Sequence, residues 1–159
     1  MCSQNFTQID VVTGKNEVTE VFAKDLDNDG DIDILFTSDN GGSGIVGWCE
    51  NDGSENFTYH EITTGITGRS VFAIDVDGDG DEDLVYSTSD PGALRWRENA
   101  AGDGTSWVDH DIQLDGDSNG ARWRAFSVSV RHHPGTRKIH LIVGARIYPG
   151  GRSLDLWEN

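Results

Sequence analysis

An internal repeat with a period of about 51 residues constrains what this chain can fold into more than any other feature. Asn5-Phe6-Thr7 returns as Asn56-Phe57-Thr58 and, more loosely, as Ser106-Trp107-Val108. Val21-Phe22-Ala23 returns as Val71-Phe72-Ala73 and as Ala125-Phe126-Ser127. Trp48-Cys49-Glu50-Asn51 returns as Trp96-Arg97-Glu98-Asn99, and the last residues are Leu156-Trp157-Glu158-Asn159. These matches divide one domain into units 5–55, 56–106 and 107–159 without a separate linker. A unit of this length is one supersecondary element that hides its apolar faces only by stacking on its copies.

Apolar patterning in the second unit predicts four short strands, Phe57 to Thr63, Ser70 to Ile74, Asp83 to Ser87 and Ala93 to Glu98. Thr64-Gly65-Ile66-Thr67-Gly68, an acidic loop and Ser89-Asp90-Pro91-Gly92 supply turn chemistry between them. Val71 and Ala73 alternate with Phe72 and Ile74, so that strand is apolar on both faces and is expected to be buried on both. No helical periodicity is evident, and 20 glycines with a hydrophobic fraction of 35% suit short strands and turns. The fold class is therefore all-β, with three four-stranded repeats stacked as β-propeller blades. Trp48 and Trp96 are expected between blades. In the third unit Leu156, not Trp157, holds the matching position, so either a bulge intervenes or Trp157 points elsewhere.

Two nine-residue acidic stretches lie at equivalent places in the first two units. Asp25-Leu26-Asp27-Asn28-Asp29-Gly30-Asp31-Ile32-Asp33 and Asp75-Val76-Asp77-Gly78-Asp79-Gly80-Asp81-Glu82-Asp83 put carboxylates at positions 1, 3, 5 and 9, with glycine at position 6. Alternate side chains of a tight loop converge on one centre, and Ca²⁺ takes six to eight oxygen ligands in flexible geometry, whereas Mg²⁺ demands an octahedron and keeps several waters. Without a cation, four such carboxylates repel one another or take up protons. An EF-hand would need flanking helices and a glutamate at position 12. Here position 12 is Phe36 or Tyr86, and the flanks are strand-like.

The third unit lacks this loop. With Phe126 aligned to Phe72, Ser129, Arg131 and His133 stand where Asp75, Asp77 and Asp79 stood. Arg131 to Lys138 is expected as a solvated hairpin turning at Pro134-Gly135. His132 and His133 face opposite ways on a strand and have no neighbouring third ligand, which argues against zinc. Charge follows the same division: residues 1–106 carry 22 acids and five bases, residues 107–159 six acids and seven bases. The formal net charge of −16 disfavours nucleic acid and anionic membranes as partners. No run approaches a membrane span, and no charged-then-apolar segment has the form of a secretion signal. Cys2 and Cys49 are compatible with one disulfide or two thiols, and Asn5 and Asn56 stand in glycosylation acceptor patterns.

The segments Val21 to Leu35 and Val71 to Val85, with the Trp-x-Glu-Asn endings, resemble the FG-GAP/VCBS repeat family, which includes the calcium-binding blades of integrin α-subunit propellers. The resemblance is strong over two units and weak over the third. It implies that the acidic loop joins a blade's innermost strand to the next. It further implies two Ca²⁺ per chain, with side-chain oxygens from Asp25, Asp27, Asp29 and Asp33 and a carbonyl from Asp31. Asp75, Asp77, Asp79, Asp83 and Asp81 would do the same in the second loop. Each unit would begin with the outermost strand of the preceding blade, leaving Phe6 to Val12 without a blade and the last blade ending at Ser153 to Glu158. Three blades are too few for a ring. A homodimer that exchanges these strands into a six-bladed ring is expected, the alternative being a fragment of a longer propeller.

Gly-x-Ser-x-Gly, His-Glu-x-x-His and phosphate-binding glycine loops do not occur, so a binding module is expected rather than an enzyme. Its ligand loops would be Thr13 to Glu20, Thr64 to Arg69 and Leu114 to Trp123. Arg122, Trp123 and Arg124 offer an aromatic surface and guanidinium groups suited to a glycan or an acidic protein ligand. Loops of this kind commonly need extracellular calcium levels, which favours a secreted, cell-surface or periplasmic setting. A structural repeat protein is the competing function, and a hydrolase or lyase appendage a third.

Overall fold

The computed structural model describes residues 5, 7–89, 92–112, 122–132, 139–148 and 151–158. The architecture is all-β, with two four-stranded antiparallel sheets, a third sheet of three strands and a single 3₁₀ turn at Asn40–Gly42 among the described residues. The first sheet contains β1 (Val18–Lys24), β2 (Asp33–Ser38), β3 (Gly44–Asn51) and β4 (Phe57–Ile66) in sequence order. The second contains β5 (Gly68–Ile74), β6 (Asp83–Ser89), β7 (Gly92–Asn99) and β8 (Trp107–Asp111). The third is β9 (Arg122–His132), β10 (Ile139–Tyr148) and β11 (Gly151–Glu158). Every pairing is antiparallel between strands consecutive in the chain, as meandering blades require.

Sheet and sequence repeat are out of phase by one strand, because β4 opens the second unit in sequence but completes the first sheet in space. Several expected elements differ from the observed ones; the loop expected over Thr13 to Glu20 ends at Glu17, because β1 pairs with β2 from Val18 onward. Thr64 to Gly68 was expected as a loop, yet β4 runs through Ile66 and β5 begins at Gly68, leaving Thr67 alone between them. Irregular register between β3 and β4 absorbs the extra residues, so pairing continues through Thr64 and Ile66. The described part of the Phe6 to Val12 segment, residues 7–12, is not strand. It pairs with no strand among the described residues, and Val11 and Val12 pack instead on Phe36, Ile45 and Cys49 of the first sheet.

The core lies between sheets. One face of the first sheet contributes Leu35, Val46, Trp48 and Ile62, which meet Val71, Ala73, Leu84 and Tyr86 of the second. The second sheet's other face brings Val85 and Leu94 against Ile139 and Leu141 of the third. Innermost strands are neighbours: the Phe22 and Phe72 rings stand 4.4 Å apart, and Thr19 Oγ1 donates to the Gly68 carbonyl at 2.9 Å. The β1 and β5 starts therefore lie at one end of the stack and the acidic loops at the other.

Trp48 is buried between sheets, as expected, and stacks on His60; Trp96 stacks on His110. Trp157 pairs opposite Leu141, whose side chain packs toward the second sheet. Trp48 and Trp96 pair instead opposite Leu35 and Val85, which pack toward the following sheet. The register of β11 against β10 is regular, so no bulge intervenes at Trp157.

Candidate metal centre

Each acidic loop begins where an innermost strand stops and ends where the second strand of the same sheet begins. A chain that must reverse over so few residues leaves backbone N–H groups unpaired, and aspartates are suited to capture them locally. Asp27 Oδ1 accepts from Asp29 N and Asp29 Oδ1 from Asp31 N, at 3.2 and 2.8 Å. Asp77 and Asp79 repeat both bonds with Asp79 N and Asp81 N. Asp25 and Asp75 reach across the turn to Gly30 N and Gly80 N, each at 3.1 Å. Gly30 and Gly80 hold φ of +97° and +105°, a region that a side chain at position 6 would resist.

Position 9 anchors the loop to its sheet. Asp33 is fully buried; Oδ2 accepts from Leu26 N at 3.0 Å and Oδ1 from Asn51 N at 2.8 Å. Asp83 accepts from Val76 N and Asn99 N, both at 2.9 Å. Burial raises the pKa of both carboxyls, opposed first by these backbone N–H groups and then by the indoles of Trp48 and Trp96. The indole nitrogens are buried and form no hydrogen bond of ordinary geometry. Burial also raises Asp27 and Asp77, opposed by the N–H groups of Asp29 and Asp79; neighbouring carboxylates, Glu50 and Glu98 among them, raise them further.

The carboxylates converge as a hard cation would need. Oxygens of Asp25, Asp27 and Asp29 lie within 4.8 Å of one another, as do those of Asp75, Asp77 and Asp83. Of the expected ligands, Asp33 and Asp79 fall outside these triples. Asp33 nevertheless lies close enough to be the leading carboxylate that raises Asp27. Asp31 and Asp81 turn their side chains elsewhere: a Cβ on Gly53 would collide with the Asp31 carboxylate, and one on Gly102 would lie 2.5 Å from Asp81 Oδ2. That orientation takes the position-7 carboxylates out of the cluster. Asp25 Oδ1 is buried without a hydrogen-bond partner. A buried carboxylate oxygen facing other carboxylates is costly unless a cation meets it, so the donor set fits a hard divalent ion.

The loops are also tied to one another. Asn28 Nδ2 donates to Asp81 Oδ1 at 3.0 Å, and Lys24 Nζ pairs with Glu82 at 2.9 Å. The asparagines that end the Trp-x-Glu-Asn segments have a role that sequence reasoning left unassigned. Asn51 Nδ2 holds the Ile32 carbonyl, while the fully buried Asn99 holds the carbonyls of Glu82 and, across the sheet interface, Leu26. Their recurrence at the end of each repeat was the available signal. His60 and His110 bond Glu50 and Glu98 of the same segments, both at 2.7 Å, which makes Trp-His-Glu a repeated structural group.

Arg122, Trp123 and Arg124 were expected in a ligand loop, but they open β9 and pair with Tyr148, Ile147 and Arg146 of β10. An inner strand needs partners from its first residue, and pairing here extends to the end of β10. Leu114 to Ala121, the Pro134-Gly135 turn, His133 and Cys2 lie outside the described residues. β9 continues through Arg131, aligned with Asp77, so strand replaces the start of the acidic loop. Cys49 is a buried free thiol, and Asn56 turns its amide onto Asp52 at 2.8 Å.

The geometry defines a class: meandering antiparallel sheets stacked face to face, with an acidic loop between the first and second strands of two of them. A family model described as FG-GAP-like repeat matches residues 25–86, from the first position of one acidic loop through the strand that follows the other. Over that segment the chain is similar to the FG-GAP-like repeat, in agreement with the resemblance carried by its motifs. No curated protein matches the chain.

Proposed function

We propose that this chain is a calcium-stabilised β-propeller module that works outside the cytoplasm by binding a glycan or protein ligand. The observation that carries the reading is the convergence of three carboxylates in each of two loops, with Asp25 Oδ1 buried and unpartnered in the first. Asp25, Asp27, Asp29 and Asp33 with the Asp31 carbonyl would hold one Ca²⁺, and Asp75, Asp77, Asp79 and Asp83 with the Asp81 carbonyl a second. The ions serve as clamps rather than reagents. Each fixes the tight connection between two strands, and the contacts between loops spread that effect over two sheets. Two ions would bring the formal charge from −16 to −12.

Recognition is assigned to the opposite end of the stack, where the inner strands begin and where Arg122, Trp123 and Arg124 open β9. Guanidinium groups beside an indole suit a sugar face or an acidic peptide. Calcium-dependent clamping favours a secreted, cell-surface or periplasmic setting, where calcium is abundant enough for weak sites. Among the described residues no helix is long and apolar enough to cross a membrane. Thermal melts in calcium, magnesium and chelator test the clamp: calcium at a hundredfold excess over its Kd should add about 2.7 kcal/mol per site. Identical melts in calcium and chelator would refute it. A glycan array probed in calcium tests the ligand class, with binding lost in Arg122→Ala and Trp123→Ala if that end recognises sugar.

A further inference from the structure

The first sheet presents a face that the second sheet buries. Val71 and Ala73 are 1% and 4% exposed because the first sheet covers them. Their repeat equivalents Val21 and Ala23 have no such cover; Val21 is 63% exposed and Val18, on the same strand, 47%. The outer part of that face is occupied. Val11, one repeat period before Ile62, packs with Val12 on Phe36, Ile45 and Cys49, much as Ile62 packs on the second sheet. Residues 7–12 thus lie where the outermost strand of a preceding blade would lie, although no strand pairs with them. The third sheet has the complementary deficiency: β11 is its edge strand, with no fourth strand among the described residues.

We infer that the third sheet of a second copy of this chain docks on this face, its β11 pairing with residues 7–12 so that they become its fourth strand. Each copy donates its segment to the other, and six sheets close one ring. Six lies within the range of four to eight blades, and closure would cover the exposed face of the first sheet and pair the β11 edge. The contact extends an interface the chain already makes twice, inner strand on inner strand and outer strand over the neighbouring face. A second copy supplies the occupant because its third sheet offers the unpaired β11 edge that residues 7–12 would complete.

Sedimentation equilibrium of the full chain at micromolar concentration in calcium tests this. The expected mass is twice the 17.4 kDa of one chain. Val21→Arg places a charge on an already exposed position, so it should yield a folded monomer by circular dichroism. Ile9→Pro removes an N–H from the donated segment and should also give the monomer, by loss of strand pairing. A monomeric wild type, an open series of larger species, or dimers that survive both substitutions would overturn the inference. The calcium-dependent melt does not depend on this outcome, so loss of the dimer with calcium stabilisation retained rejects the ring and leaves the clamp standing.

Discussion

Asn99→Ala should destabilise the protein far more than Asn51→Ala, although the two residues close the same repeat motif. Asn99 is fully buried; its amide donates to Leu26 O at 3.2 Å and Glu82 O at 3.4 Å, and its oxygen accepts from Gly104 N at 2.9 Å. Alanine would strand the Leu26 carbonyl and the Gly104 N–H inside the structure, at about 1–3 kcal/mol for each buried group left unsatisfied. The sum is roughly 2–6 kcal/mol, a large part of the ~5–15 kcal/mol that holds a typical domain. Asn51 makes corresponding bonds to Ile32 O and from Gly53 N at exposed positions, where water replaces the lost partner. Its loss should cost about 0.5–1.5 kcal/mol. Urea denaturation of both variants in calcium gives the comparison directly, read at constant m so that the midpoint shift reports stability. Equal losses, or a larger loss for Asn51→Ala, would refute the assignment of Asn99 as the latch between the first acidic loop and the second sheet.

Further outcomes follow from the same geometry. Burial raises the folded-state pKa of Asp33 and Asp83 above the ordinary carboxylate value, so the metal-free fold binds protons more readily than the unfolded chain. Their contribution to stability is fully present below the unfolded value near 3.8 and declines as pH rises through the raised values. In chelator these groups should therefore lower Tm as pH rises from about 4 toward neutrality, while the calcium increment grows; a calcium increment that shrinks as pH rises would contradict this. Asp25→Asn should weaken calcium stabilisation of the first loop by removing a charge, while leaving the chelated protein as stable or more so. The Cys49 thiol, pushed up to about 11 by burial, should resist a thiol reagent at pH 8 in a Cys2→Ser background until denaturant is added.

The blades and the acidic loops were legible in the sequence because both are local and repeated. Period-two alternation placed β5, β6 and β7 within a few residues, and the spacing of Asp25 to Asp33 announced a turn that gathers carboxylates. Less visible was whatever depends on one sheet meeting another. The buried hydrogen bonds of Asn99 reach a carbonyl 73 residues away, and no spacing rule encodes that distance. The double use of Asp33 and Asp83, as possible ligands and as anchors for two backbone N–H groups, likewise needs the strand that follows. Arg122 to Arg124 lie in strand because the inner strands begin earlier than the repeat pattern suggested, β5 at Gly68 and β9 at Arg122. The segment before Val12 has an outer strand's sequence, yet among the described residues it pairs with no strand.

Calcium titration by calorimetry on the chelator-treated protein tests the central claim most directly. The account predicts two ions per chain, with about one remaining in Asp25→Asn/Asp27→Asn and an accompanying rise in Tm for each site filled. Absence of binding at millimolar calcium, or binding that leaves the melting temperature unmoved, would contradict it.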